Sequence, residues 1–198
     1  MLLRCTQKFL TELRLKKADI KVYPQAEHSL DEWYAHVFYL YPRRKCAVFA
    51  HSKMTFCFFA LDVTRDDLND LGGIFRKRLA KALFDEHYPA EVIKLFNERM
   101  TKIHVTTTLD RVVIGTVNQM VRELTYRGNE SERTMYRNEA VLGAYYRRGC
   151  FMAFRGGAPL NQLRDVLVGL EELKGVEIPE PLSDEAISAH LGVRSIYF

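Results

Sequence analysis

The stretch from residue 33 to residue 61 constrains the fold of this sequence more than any other part. Three runs rich in Val, Phe, Tyr and Ala follow one another there, at about Trp33–Tyr41, Lys45–His51 and Thr55–Leu61. Side chains of this kind suit a pleated, half-buried surface. The connections between the runs are short, and short connections join antiparallel strands. The sequence therefore predicts an antiparallel meander at the centre of the fold.

Helical spacing replaces the strand pattern on both sides of this meander. Apolar residues three and four positions apart predict helices over Thr6–Lys16, Leu68–Leu83, Pro89–Met100, Asp110–Leu124 and Pro159–Gly175. Short strands are predicted at Leu2–Cys5 and Ile103–Thr106. The pattern over residues 128–157 does not separate helix from strand, although Ala140–Tyr146 favours a helix and Cys150–Phe154 a strand.

These elements predict an α+β fold, in which an antiparallel or mixed sheet around residues 33–61 is packed against three or four helices. Residues 1–175 are expected to form a single domain. Residues 176–198 are expected to form a linker and a short helix that docks through Ile187 and Leu191.

Composition limits the class of protein further. The chain of 198 residues is 47% hydrophobic with a net charge of only +4, which argues against disorder. No stretch approaches the roughly 20 apolar residues of a membrane span. The charged Arg4 interrupts the apolar run at the start of the sequence, whereas a signal peptide needs a longer uninterrupted one. Four widely spaced cysteines without a C-x-x-C pair are expected to be reduced, buried thiols. The predicted location is the cytoplasm.

Four segments resemble, in the right order, an uncharacterised bacterial family known only as a domain of unknown function. They are Leu3–Leu10 (LRCTQKFL), Leu30–Ala35 (LDEWYA), Arg44–Phe49 (RKCAVF) and Asp110–Asn118 (DRVVIGTVN). The resemblance covers roughly Met1 to Tyr126 and, more weakly, the helix after Pro159. It supports the fold expectation and implies no activity, cofactor or partner.

The sequence contains few residues in the patterns that metal binding or catalysis requires. Cys46, His51 and Cys57 are the closest soft ligands, but Cys46 and His51 are five positions apart on a strand and so face opposite sides. No metal site and no cofactor are predicted. The chain has no G-x-S-x-G, H-E-x-x-H or Walker motif. A Cys–His pair assembled from distant residues stays open as an alternative.

Two groups of residues are candidates for a ligand pocket. Asp110, Arg111 and Asn118 form the more distinctive group, because Arg111 and Asn118 are seven apart and share one helix face. The alternative is that Asp110 caps the helix and Arg111 pairs with a carboxylate. The second group stands at a strand entrance and comprises Asp31, Trp33 and Tyr34. The sole tryptophan is also expected as a core or rim anchor.

Cations interleaved with aromatic residues suggest a nucleic-acid surface. The candidates are Arg43, Arg44, Lys45, Arg137, Tyr145, Arg147, Arg148 and Arg155. Phosphate contacts need cations, and unstacked bases need flat side chains. The alternative is a solvated face on which arginine stems cover tyrosine rings.

The predicted function is a binding or regulatory module without catalysis that acts through a nucleic-acid or protein partner. The runner-up is a small hydrolase or nuclease whose site is assembled from distant residues. A third alternative is a homodimer, in which the acidic stretch from Glu171 to Glu185 meets a basic face of the second copy.

Overall fold

A computed structural model describes residues 1–26, 30–40, 43–128, 138–149 and 158–194, apart from the side chains at positions 17 and 127. The strands are β1 (Leu2–Cys5), β2 (Glu32–Leu40), β3 (Arg44–His51), β4 (Cys57–Ala60) and β5 (His104–Thr107). The helices are α1 (Gln7–Glu12), α2 (Arg65–Asn69), α3 (Leu71–Asp85), α4 (Ala90–Arg99), α5 (Arg111–Gly128), α6 (Glu139–Arg148), α7 (Pro159–Val168) and α8 (Asp184–His190).

The strands form one mixed sheet in the order β4-β3-β2-β1-β5. β2, β3 and β4 pair antiparallel, as the short connections predict, whereas β1 lies parallel to both β2 and β5. Leu3 is thereby placed between Trp33 and Val105. The predicted α+β fold with a mixed sheet is confirmed.

Both faces of the sheet are buried, because strand side chains alternate between two cores. Trp33 and Val37 of β2 belong to a front core that contains residues of α1, α3, α4 and α7. Phe38 and Leu40 belong to a back core closed by α5 and α6. The prediction of helices packed on the sheet did not specify this division. A strand buried on both sides needs apolar residues throughout, which explains the nearly continuous apolar run in β3.

Several helices differ in their bounds from the predictions. α1 ends at Glu12, and Arg14 follows with a left-handed φ of 59°. The helix predicted over Leu68–Leu83 is two helices that meet at Asp70, whose carboxylate accepts a hydrogen bond from the Gly73 N–H (2.9 Å) and starts α3. α7 ends at Val168, before a short turn. No helix in the described ranges is long and apolar enough to cross a membrane.

The C-terminal helix α8 packs against α6. Ser183 caps its start by accepting a hydrogen bond from the Ala186 N–H (3.2 Å), as the sequence predicts. Ile187 is fully buried and forms a small core with Ala144, against which Leu191 is partly buried. α8 is therefore held by apolar contacts.

Candidate functional site

The structure does not bring Asp31, Trp33 and Tyr34 to one pocket. Trp33 is 1% exposed, and its ring lies 5.3–6.5 Å from four phenylalanine rings of the front core and 5.1 Å from the ring of His51. Tyr34 points to the opposite face of the sheet, and Asp31 pairs with Arg99 (3.4 Å). Trp33 is a core anchor, the alternative that the sequence left open.

Strand β2 positions the starts of two helices through neighbouring side chains on its back face. The Tyr34 hydroxyl accepts a hydrogen bond from the Asp110 N–H (2.9 Å) just before α5. His36 Nδ1 lies 3.0 Å from the hydroxyl of Thr6, which caps α1. Burial, and then the nearby Lys8, lower the pKa of His36 to about 4, so its imidazole is neutral at pH 7.

Arg147 and Arg148 are not surface cations, and the prediction that they belong to an open basic face is corrected. Both pair with Glu86 at the end of α3, at distances of 2.5–2.8 Å. The side chains of all three residues are at most 6% exposed. Burial alone would raise the pKa of Glu86, but the two guanidinium groups outweigh it and hold that pKa below its usual value.

The other described nucleic-acid candidates are also largely engaged. Arg44 forms a two-pronged ion pair with Asp62 (2.6 and 2.5 Å), and Lys45 pairs with Glu12 (2.5 Å). Tyr145 donates a hydrogen bond to Glu123 (3.1 Å). Arg43 is exposed in the turn after β2. Arg137 and Arg155 lie outside the described residues.

The outward side of α5 is different. Arg111, Gly115, Asn118 and Arg122 are spaced by four, three and four positions and form one stripe along the helix. All four are exposed, while the opposite side of α5 contributes to the back core. The prediction that Arg111 and Asn118 share one face rests on this spacing. We call Arg111, Gly115, Asn118, Gln119, Arg122 and Tyr126 the α5 surface.

The outward face of α5 borders open space along Gly115, Asn118, Gln119, Arg122, Glu123 and Tyr126, all on this one helix. The Tyr126 ring is 74% exposed. A Cβ atom on Gly115 would meet nothing within 4 Å, so the middle of the stripe is open to a ligand. Within the described part of the chain, no hydrogen bond or ion pair holds the side chains of Arg111, Asn118, Gln119 or Arg122.

This surface offers two guanidinium groups, two amides and a phenol ring. Such groups bind ligands by hydrogen bonds, charge and stacking, and they contain no nucleophile paired with a base. The sequence predicted Arg111 and Asn118 as candidates on this face and did not include Gln119, Arg122 and Tyr126, which the structure places beside them. Extending the same spacing by one more turn from Asn118 would have found Arg122.

Asp110 bounds the α5 surface at its start. Its carboxylate accepts a hydrogen bond from the Val112 N–H (2.7 Å), so Asp110 caps α5, which is the alternative that the sequence left open. No ion pair between Arg111, the next residue, and a carboxylate is found among the described residues.

The mixed five-stranded sheet, with helices on both of its faces, defines the class of this protein as an α+β domain by architecture. Residues 2–144 match the model of a family described as a domain of unknown function, DUF6933, and the chain belongs to that family. This finding confirms the resemblance to an uncharacterised family. The family match extends beyond Tyr126, where the main part of the resemblance in the sequence ends. Neither a curated protein nor a solved structure matches the chain significantly.

Proposed function

We propose that this protein is a cytoplasmic nucleic-acid-binding module without catalysis and that the α5 surface contacts the nucleic acid. One observation carries the proposal: Arg111 and Arg122 are exposed on one helix stripe without a carboxylate partner in the described chain. Most other described arginines are paired with carboxylates, namely Arg4, Arg44, Arg78, Arg99, Arg147, Arg148 and Arg164.

The spacing of Arg111 and Arg122 suits an extended anionic ligand. Arg111 and Arg122 are eleven positions apart on a continuous helix, which at 1.5 Å per residue separates them by roughly 16 Å along the axis. A nucleic-acid strand presents phosphates over such a distance, whereas a small anion would reach only one of the two side chains. Contact with both therefore favours a polymer.

The groups between and beside the arginines add contacts of other kinds. Asn118 and Gln119 carry amides that can bind phosphate, sugar or base edges. The exposed ring of Tyr126 is a platform on which an unpaired base can stack. The open position at Gly115 allows a strand to approach the helix backbone. This combination favours single-stranded over double-stranded nucleic acid.

The acidic neighbours of the α5 surface limit the expected affinity. Asp110 and Glu123 lie at its margins, and each carboxylate already accepts a hydrogen bond from the protein. Their charges still oppose a phosphate backbone, and the net charge of +4 provides only weak long-range attraction. We therefore expect moderate affinity with a clear dependence on salt.

Fluorescence anisotropy with single- and double-stranded oligonucleotides, between about 50 and 200 mM salt, tests the proposal. The double variant Arg111→Ala/Arg122→Ala should bind roughly tenfold more weakly for each guanidinium group removed from a phosphate, with a salt slope shallower by about 2. A matched control, Lys77→Ala/Lys94→Ala, removes the same charge from exposed positions on α3 and α4.

The control variant should bind like the unaltered protein. Equal losses of affinity in the two double variants would show that net charge alone causes the effect. Absence of binding at low salt would show that nucleic acid is not the ligand. A concentration-dependent mass that the Arg111→Ala/Arg122→Ala change abolishes would instead assign the α5 surface to a second copy of the chain.

The Thr6–His36 contact favours a second candidate function, a small hydrolase or nuclease. A hydroxyl 3.0 Å from a neutral imidazole has the arrangement of a nucleophile and its base. The same hydroxyl also accepts a hydrogen bond from the Phe9 N–H (3.4 Å) as the cap of α1, which explains the contact without catalysis. Turnover of ester or phosphodiester substrates that His36→Gln abolishes would establish this function.

A further inference from the structure

Two histidines from distant parts of the chain meet where α8 docks. His87 lies in the turn between α3 and α4, and His190 is the last residue of α8. His87 Nε2 is 3.3 Å from His190 Nδ1, and the two rings are nearly perpendicular, at 81°. Both residues are exposed. The fold therefore brings two imidazole nitrogens together at a solvent-accessible point.

We propose that His87 and His190 form a binding site for a divalent transition-metal ion of the zinc class. Two Zn–N bonds of about 2.0–2.1 Å at the tetrahedral angle place their nitrogens about 3.3–3.4 Å apart. The observed separation of 3.3 Å matches this distance. Imidazole suits Zn²⁺, Cu²⁺ and Ni²⁺, whereas Mg²⁺ and Ca²⁺ select oxygen ligands.

The backbone on both sides of the site is already fixed. His87 adopts a left-handed φ of 61° and its N–H donates to the Phe84 carbonyl (2.9 Å), while the neighbouring Tyr88 N–H donates to the Leu83 carbonyl (3.0 Å). α8 is held through buried Ile187. Only the two rings need to adjust, so binding loses little conformational entropy.

Charge near the two elements does not oppose a cation. His87 follows Glu86, whose charge is offset by the two guanidinium groups of Arg147 and Arg148. Arg148 also lies 3.8 Å from Asp184 at the start of α8. These two acidic and two basic groups balance, so the metal ion meets no net positive charge from this cluster.

The described residues contain no group of three metal-binding side chains. Water would therefore complete the coordination, and the site is expected to be weaker than a four-ligand structural site. Without metal, the same separation accommodates a hydrogen bond between one protonated and one bare nitrogen. Metal binding needs both facing nitrogens bare, so the ring that carries this proton must adopt the tautomer with its proton on the other nitrogen. Protons compete with the metal ion for the facing nitrogens, so the affinity falls as the solution becomes more acidic.

Occupation of the site would cross-link α8 to the α3–α4 turn. An ion that binds the folded state and has lower affinity for the unfolded chain raises stability by mass action. The inference is independent of the α5 surface, because no residue of the one belongs to the other.

Titration of the full chain with Zn²⁺ by isothermal calorimetry, combined with thermal unfolding, tests this site. His87→Asn keeps a residue that tolerates a left-handed φ, and His190→Gln keeps a helix former. Each change should weaken binding at least tenfold, abolish the metal-dependent rise in Tm and leave the metal-free Tm nearly unchanged. His104→Asn, which alters a histidine paired with Tyr23 on β5, should bind Zn²⁺ as the unaltered protein does.

Co²⁺ absorption gives a second readout, because the spectrum reports the number and geometry of its ligands. Stoichiometric binding that persists in both His87→Asn and His190→Gln would overturn the proposal, as would the absence of saturable binding by the unaltered protein. Loss of binding in His104→Asn alone would assign the metal to another site.

Discussion

Two pairs of arginines, both on helices that cover the back face of the sheet, have opposite environments. Arg147 and Arg148 at the end of α6 are buried around Glu86, whereas Arg111 and Arg122 on α5 are exposed and have no carboxylate partner in the described chain. Each pair contains two cations. The two pairs differ because a carboxylate, that of Glu86, lies beside Arg147 and Arg148. Arginines buried with a partner maintain the fold, and those left free on the surface remain able to bind a ligand.

The largest effect is expected at the centre of the buried cluster. Among the described residues, replacing Glu86 by Gln leaves Arg147 buried without a counter-charge and Arg148 with only Asp184, 3.8 Å away. Breaking a buried pair in this way typically destabilises by about 3–5 kcal/mol. Urea unfolding measures the change. Glu172→Gln, which removes the half-exposed partner of Arg99, should change the free energy of unfolding by less than about 1 kcal/mol. Similar values for both variants would contradict the contrast between buried and exposed pairs.

Acid should weaken the buried cluster in a defined direction. The pKa of Glu86 is lower in the folded protein than its ordinary value of 4.5. The unfolded state therefore binds the proton first, and the stabilisation by Glu86 is complete above the ordinary pKa and is lost as the pH falls through the folded one.

The free energy of unfolding of the unaltered protein should accordingly decline more steeply in acid than that of Glu86→Gln. Urea titrations of both proteins at a series of acidic pH values measure the two slopes. Parallel curves would show that other carboxylates determine the acid limit.

A smaller, stabilising effect is expected on the exposed side of α5. Alanine at position 115 adds a methyl group into open space and a better helix former, so Gly115→Ala should stabilise the protein by about 0.5–1 kcal/mol. Gly73→Ala is the matched contrast, because its methyl group would collide with the Asp70 carboxylate that starts α3. Urea unfolding of the two variants should give changes of opposite sign.

The smallest effect on stability is expected from the free arginines themselves. Arg111→Ala and Arg122→Ala remove exposed side chains without described partners, and such changes usually alter the free energy of unfolding by no more than about 0.5 kcal/mol. Loss of binding with unchanged urea midpoints would separate function from fold. A large destabilisation would show that these arginines contribute to the fold.

Much of the fold was predictable from local pattern. The strand-forming runs and short connections of residues 33–61 identify β2, β3 and β4 because both signals lie in adjacent residues. No local signal in the sequence indicates that β1 pairs in parallel with β2 and β5. β1 and β5 are separated by about half of the chain, and nothing in Leu2–Cys5 indicates which strand lies beside it. The break at Asp70 depends on its hydrogen bond to the Gly73 N–H, which spacing alone does not reveal.

The candidate site was predictable only where geometry within one helix was sufficient. Arg111 and Asn118 share a face because of their spacing on α5. For Arg147 and Arg148, the deciding partner Glu86 lies 61 and 62 positions earlier in the sequence. α6 is buried nearly all round, so its periodicity does not show which side faces water. Trp33 was correctly weighed as an anchor, since a large ring in a strand of apolar residues favours the core.

The buried cluster around Glu86 also joins residues on both sides of the point where the family match ends. The family match ends at residue 144, inside α6. Glu86 lies within the match, whereas Arg147 and Arg148, which neutralise it, lie beyond the end. α7 also lies outside, yet Leu160, Leu163 and Leu167 close the front core. A chain shortened to residue 144 would keep every position by which the family is recognised and lose the counter-charges and apolar cover of its own interior, so we expect it to be less stable than the full chain.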